Sequence, residues 1–212
     1  MITPKPEPLV FPRGVRFARK NEMPNDGEEA LARIAKANIT TGYTLDSRGG
    51  NGFTSYFEAN VHAPSIFEVF RDVAESIIIE VAAPIIGLKD EEPTFGPYTT
   101  REEALKVFEP HVDLLQNDGF LEFGVIFAFN EKIEEIFVKS SKYFQIWTNK
   151  PETVAEVLAR NNIPPVENIQ FIDEYAMVSR SLGEGGNAGW PGVIDTIENA
   201  FESLPKVNPP SS

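Results

Sequence analysis

The sequence predicts an α+β fold: two related sheet-helix modules joined by a kinked helical segment. Three observations predict it. Residues 120–129 (FLEFGVIFAF) carry one charge, are rich in aromatic and β-branched side chains and show no helical stripe, as expected of a central strand covered on both faces. A strand, a short loop and a proline-started helix occur twice at a constant offset of 87 residues, YFEANVHAPSIFEVF from Tyr56 and YFQIWTNKPETVAEV from Tyr143, with Pro64 falling on Pro151. Between and around these segments, apolar residues recur at helical spacing behind capping signals. Two unrelated strand-to-helix turns would give the same alignment, since proline suits any first helical turn, where its missing N–H has no intrahelical partner.

Residues 1–50 read as an N-terminal extension with one short helix. Pro4, Pro6, Pro8 and Pro12 predict an extended or poorly ordered start. Asn25-Asp26 offer a cap to a helix over 27–37 with Leu31, Ile34 and Ala35 on its stripe. Asp46–Gly52 (DSRGGNG) reads as a flexible connection. The first module, 51–98, is strand-helix-strand. Its strand starts at Phe53, and Ser65 with Glu68 three residues on forms a capping box for a helix that buries Ile66, Val69, Phe70, Val73 and Ile77. Ile77–Ile86 (IIIEVAAPII) reads as a buried strand ending at a turn around Pro84 and Gly87.

Residues 99–119 are the connecting helices. Thr99 and Thr100 cap them with Glu102 and Glu103, Pro110 breaks them near Phe108–Glu109, and Gly119 closes them as a left-handed cap. The second module, 120–181, is strand-strand-strand-helix-strand. Strands over 120–129, 133–139 and 142–148 lead to a helix from Pro151 that buries Val154, Val157 and Leu158, and a last strand spans 168–178. Residues 182–212 add a glycine-rich loop and an amphipathic helix with Val193, Ile197, Phe201 and Leu204 on one face. The predicted core is Phe57, Phe67, Phe70, Phe108, Phe123, Val125, Phe127, Phe144, Val154 and Leu158.

Composition narrows the function. The chain of 212 residues has no cysteine, which excludes disulfides, thiol nucleophiles and thiolate metal sites and fits a reducing cytoplasm. The first residues lack an apolar signal core and no apolar run reaches membrane length, so neither secretion nor a membrane partner is expected. Net charge is −13, and residues 51–119 hold 13 acidic against 4 basic groups. Nucleic-acid binding is disfavoured, because phosphate neutralisation needs clustered Lys and Arg. Such acidity serves solubility or steers the chain towards a basic protein.

No catalytic motif is present. His62 and His111 lie outside any ligand spacing, so no metal site is expected. The glycines from 183 to 192 lack a phosphate-loop ending, and no GxSxG elbow occurs. The adjacent pairs Glu102/Glu103 and Glu134/Glu135 diverge in direction and suit no shared acid/base work. The expectation is a non-enzymatic protein without a cofactor. Its partner-binding residues would be Asp90, Glu91, Glu92, Glu102 and Glu103, clustered in loop and helix-start positions, with Phe95 and Tyr98 as aromatic anchors.

The segments YTTREEAL from Tyr98 and LLQNDGFLEF from Leu114 give the chain a general likeness to cytoplasmic immunity proteins of bacterial polymorphic-toxin and type VI secretion systems. The resemblance implies tight binding to a cognate toxin by covering its active site, with no fixed positions to carry over. Paired strand-rich modules also resemble glyoxalase and bleomycin-resistance proteins, which would imply a small-molecule or metal cavity between modules. An unspecialised scaffold or regulatory subunit is the third reading.

Overall fold

The structure, a computed structural model, describes residues 5–23, 27–182 and 190–208. In chain order the elements are β1 (Val15–Phe17), α1 (Gly27–Ile34), β2 (Gly42–Asp46), β3 (Ser55–Asn60), α2 (Ile66–Ile77), β4 (Val81–Leu88), β5 (Thr94–Phe95) and β6 (Thr99–Thr100). There follow α3 (Arg101–Lys106), α4 (Val112–Asn117), β7 (Leu121–Phe129), β8 (Lys132–Val138), β9 (Tyr143–Thr148), α5 (Pro151–Arg160), β10 (Met177–Ser179) and α6 (Trp190–Glu202). The α+β class is as the sequence predicts. An eight-stranded antiparallel sheet runs β2-β3-β9-β8-β7-β4-β5, with β6 also on β4. β1 and β10 form a separate antiparallel ribbon.

One face of the large sheet carries the core. Phe57, Ile86, Phe123, Val125, Ile136, Phe144 and Ile146 alternate onto it, and they form one cluster with buried residues of α2, α3, α4, α5 and α6. Phe70 of α2 lies at its centre, 4.9 Å from the ring of Phe123 and 6.1 Å from that of Phe108. Nine of the ten predicted core residues are buried; Phe127 is only partly so. Val193, Ile197, Phe201 and Leu204 are all buried, as their spacing predicts.

Within β3 and β9, Glu58 pairs with Gln145, the residue it meets in the 87-residue offset. The two segments therefore run antiparallel about that pair, each enters a helix, and α2 and α5 pack together. The predicted break also appears: a 3-10 turn at Glu109–His111 separates α3 from α4, and Thr100 accepts from the Glu103 N–H at 3.3 Å as N-cap.

Several expectations give way to tertiary causes. β7 is an interior strand as expected, paired with β8 and β4, but no described helix covers its Gly124, Ile126 side. Helix α2 runs to Ile77, so the strand begins only at Val81. The cations that satisfy its orphan C-terminal carbonyls come from far away: Arg101 donates to Glu75 and Ile78, and Lys150 to Ile77. Ser65 ends a 3-10 turn and makes no side-chain cap. Pro84 sits inside β4, not at a turn. Its carbonyl accepts from Gly96 N–H at 2.8 Å, so its donor-less nitrogen faces the interrupted β5/β6 edge, where no ladder bond is lost.

The strand expected over 168–178 reduces to β10, which leaves the sheet to pair with β1 around a small second core of Val15, Ile39 and Ile172. Residues 1–50, read as an extension, supply β2 to the large sheet, and α1 stops at Ile34 with no fully buried residue. Pro4 lies outside the described residues; Pro6 and Pro8 lie on a run tied down by Leu9 N–H to Ile39 O and Thr41 N–H to Glu7 O. Gly119 is not left-handed: a Cβ there would lie 2.4 Å from Gly14 O, so glycine permits a close backbone crossing. The cap at Asn25-Asp26, most of the glycine-rich loop and the last four residues lie outside the described residues.

Candidate functional site

Strand alternation and pairing order build the second face of the large sheet. Because the antiparallel registers are continuous, side chains fall into rows across strands. One row is Asp46, Tyr56, Trp147, Glu135, Ile126 and Ala83, from β2 to β4. The next is Thr44, Glu58, Gln145, Phe137, Gly124, Ile85 and Phe95, from β2 to β5. None of these residues belongs to the cluster that the helices cover. Segment 170–175 covers one end of this face, where Asn60 donates to Gln170 O at 2.9 Å and the rings of Tyr143 and Phe171 lie 4.7 Å apart; towards β4, Ala83, Ile85 and Phe137 are buried, and Gly52 packs against Ile133.

The face is aromatic, acidic and internally braced. Tyr56 and Trp147 rings lie 5.1 Å apart, tilted by 40°. The Tyr56 hydroxyl donates to Glu58 at 2.9 Å and accepts from Gln145 Nε2 at 2.8 Å, and burial raises its pKa. Phe137 lies over Gly124, where a Cβ would meet its ring at 2.7 Å, and this leaves Phe137 only 8% exposed. Glu135 stands between Trp147 and Ile126, and burial pushes its carboxyl up to about 7.

That shift has a stability consequence with a definite sign. A carboxyl whose pKa is higher folded than unfolded leaves stability intact below about 4.5 and erodes it as pH rises to about 7. Glu135→Gln is therefore expected to stabilise the protein by about 3 kcal/mol more at pH 8 than at pH 4. Chemical denaturation at both pH values checks this; equal gains at both would contradict the assignment.

A cavity of about 650 Å³ opens on the helix side, between the end of α2, the β7–β8 hairpin and the β9–α5 connection. Its walls are mainly apolar, including Ile77, Ile79, Phe127 and Phe129. Two of its charged groups are held by the frame: Glu134 accepts from Thr148 Oγ1 at 2.5 Å and Asn149 N–H at 3.2 Å, and Lys150 donates to Ile77 O, while Glu80, Asn130 and Lys132 also line it. No group of three or more His, Asp or Glu side chains able to hold a metal gathers among the described residues. His62 Nδ1 accepts from Val10 N–H at 3.1 Å, and burial lowers the His111 pKa. No helix among them is long and apolar enough to cross a membrane.

Buried charge gathers where β7 begins. Asp118 accepts from the N–H groups of Phe120 at 2.8 Å and Leu182 at 2.7 Å, and Glu122 accepts from Ser140 N–H at 3.0 Å and pairs with Lys139 at 3.1 Å. Lys142 is fully enclosed and donates to Leu121 O; burial pulls its pKa down to about 7 against the raising effect of Asp118 and Glu122. Every one of these groups holds a strand end or a crossing, a structural role.

The residues expected to bind a partner are distributed along the β5/β6 edge. Asp90, Glu91 and Glu92 are exposed in the turn after β4, whereas Glu102 and the partly buried Glu103 start α3 beside the opposite end of β4. The length of β4 separates these two acidic groups by about 23 Å. Phe95, 57% exposed, continues the second row of the free face. Tyr98 is engaged structurally: its hydroxyl donates to Ala128 O and accepts from Ala128 N–H, both at 2.9 Å. Sequence reasoning missed Tyr56, Glu58, Glu135, Gln145 and Trp147. The alternation in YFQIWT, with Tyr143, Gln145 and Trp147 opposite Phe144, Ile146 and Thr148, is the signal that could have found the face.

Compared with known proteins, the chain matches no family model, no curated protein and no solved structure.

Proposed function

We propose that this chain is a non-enzymatic protein-binding inhibitor of the immunity type, which covers a basic toxin's active site with the helix-free face of its sheet. The observation that carries the reading is the half-buried β3–β9–β8 part of the two rows, Tyr56, Glu58, Gln145, Trp147 and Glu135, since Ala83, Ile85 and Phe137 at the β4 end are already buried within the chain. Aromatic side chains dominate interface energetics because they bury much area at little conformational cost, and a rigid sheet presents them pre-arranged. The exposed acids of the adjoining edge, Asp90, Glu91 and Glu92 with Glu102, add a long-range attraction that accelerates encounter.

The test is titration of the purified product of the neighbouring gene. A saturable one-to-one complex whose association slows as salt rises supports the reading. Failure of that product to bind at any salt concentration removes it. Reversing Asp90, Glu91 and Glu92 to lysine is expected to slow association by roughly ten-fold with little change in dissociation.

A second reading is favoured by the 650 Å³ cavity, which lies in the size range of small-molecule sites. Its apolar lining suits an uncharged apolar ligand. Thermal shifts with such compounds, abolished by Phe127→Trp, would favour it over protein binding.

A further inference from the structure

On the free face, Glu135 has no hydrogen-bonding partner among the described side chains, although its neighbours are nearly all apolar or aromatic. Trp147 lies opposite it on β9 and Ile126 on β7, and Phe137 follows two residues along β8 on the same face. Glu58, the other carboxylate of this end, is occupied by the Tyr56 hydroxyl, and Asp46 is neutralised by Arg48 at 2.5 Å. Glu135 is thus the acid of the two rows that accepts no hydrogen bond from a described side chain, and it stands beside the indole rather than in bulk water.

Resting on the protein-binding reading, we propose that Glu135 and Trp147 form a subsite for an arginine side chain of the partner. The guanidinium donates to the Glu135 carboxylate while lying on the indole, and Tyr56 backs the indole from the other side at 5.1 Å. The chemistry favours arginine over lysine. A planar, weakly hydrated guanidinium stacks on aromatic faces and offers a paired donor fork, whereas an ammonium is a compact, strongly hydrated point charge. Charge complementarity supplies the attraction, since the chain carries −13 overall.

The lysine that follows β8 on this face is engaged elsewhere. Lys139, the residue after β8, sits 5.6 Å over Phe137 and pairs with Glu122. Other ionisable groups on this face are Tyr56 and Glu58 of β3, Tyr143 of β9, Glu122 of β7, and Asp46 of β2 with its partner Arg48. Burial raises the carboxyl of Glu135 to about 7, so arginine binding there should release protons near neutrality.

The test uses hexa-arginine and hexa-lysine peptides with the full chain carrying Trp190→Phe, which leaves Trp147 as the sole tryptophan of the two. Hexa-arginine is expected to change Trp147 emission and bind at least ten-fold tighter than hexa-lysine at pH 8. Glu135→Gln should weaken hexa-arginine at least ten-fold while its thermal unfolding confirms a folded protein. Equal affinity for both peptides, silent Trp147 emission, or unchanged binding by Glu135→Gln would each overturn the subsite. Those outcomes leave the inhibitor reading standing on its own titration. Selective hexa-arginine binding without any protein partner would keep the subsite and remove that reading.

Discussion

Phe70→Ala is expected to destabilise the protein by about 3–5 kcal/mol, the largest single-residue effect in the core. Phe70 is fully enclosed, and its ring touches those of Phe67, Phe108 and Phe123 at centroid separations of 6.0, 6.1 and 4.9 Å. It joins three pieces of chain: α2 carries it, Phe108 comes from the break between α3 and α4, and Phe123 from β7. Truncation removes apolar area from the centre of the helix-covered face and leaves a cavity among rigid aromatic rings that cannot collapse into it. Denaturant titration measures the loss. A cost below 1 kcal/mol would mean that the helices do not depend on this cluster.

Gly14→Ala is expected to cost roughly 3 kcal/mol, for a reason unrelated to apolar burial. A Cβ on Gly14 would lie 2.5 Å from Asn117 O, 2.5 Å from Gly119 N and 2.7 Å from Arg180 O. All three are backbone atoms, so no side-chain rotation relieves the clash. Three chain segments meet at this crossing through Gly14 N–H to Asn117 O at 2.8 Å, Gly119 N–H to Arg180 O at 3.0 Å and Arg180 N–H to Gly14 O at 2.7 Å. Separating them would loosen the β1–β10 ribbon from the end of α4. The expected signature is a lowered melting temperature with fast amide exchange at residues 14 and 180. A melting temperature within one degree of the parent protein would contradict the crossing.

What the sequence made legible was local. KYFQIWT and the run 121–129 became strands at nearly their predicted ends, Pro151 opened α5, and Pro110 broke the connecting helices, because neighbouring residues alone decide those events. The helical stripe of α6 likewise placed Val193, Ile197 and Phe201 in the core. What stayed hidden depends on residues far apart in the chain. Ile77 remains helical because Lys150 satisfies its carbonyl, and Pro84 fits a strand because the neighbouring edge is interrupted beside it. Gly119 looks like a helix cap until Gly14 and Arg180 are brought against it. The candidate site was hidden for the same reason. Alternation separates Trp147 from Ile146, but only the pairing order β3-β9-β8-β7 assembles Tyr56, Trp147, Glu135 and Ile126 into one row on the side that no described α-helix covers.

The most direct measurement of the central claim compares two variants against the product of the neighbouring gene by calorimetric and kinetic titration. Trp147→Ala alters the middle of the free face, and reversal of Asp90, Glu91 and Glu92 alters only the edge. If the face is the interface, Trp147→Ala weakens binding at least about 100-fold through faster dissociation, while the edge reversal mainly slows association. Binding by Trp147→Ala within two-fold of the parent, together with loss of the complex on edge reversal, would contradict the account and place the interface on the β5/β6 edge.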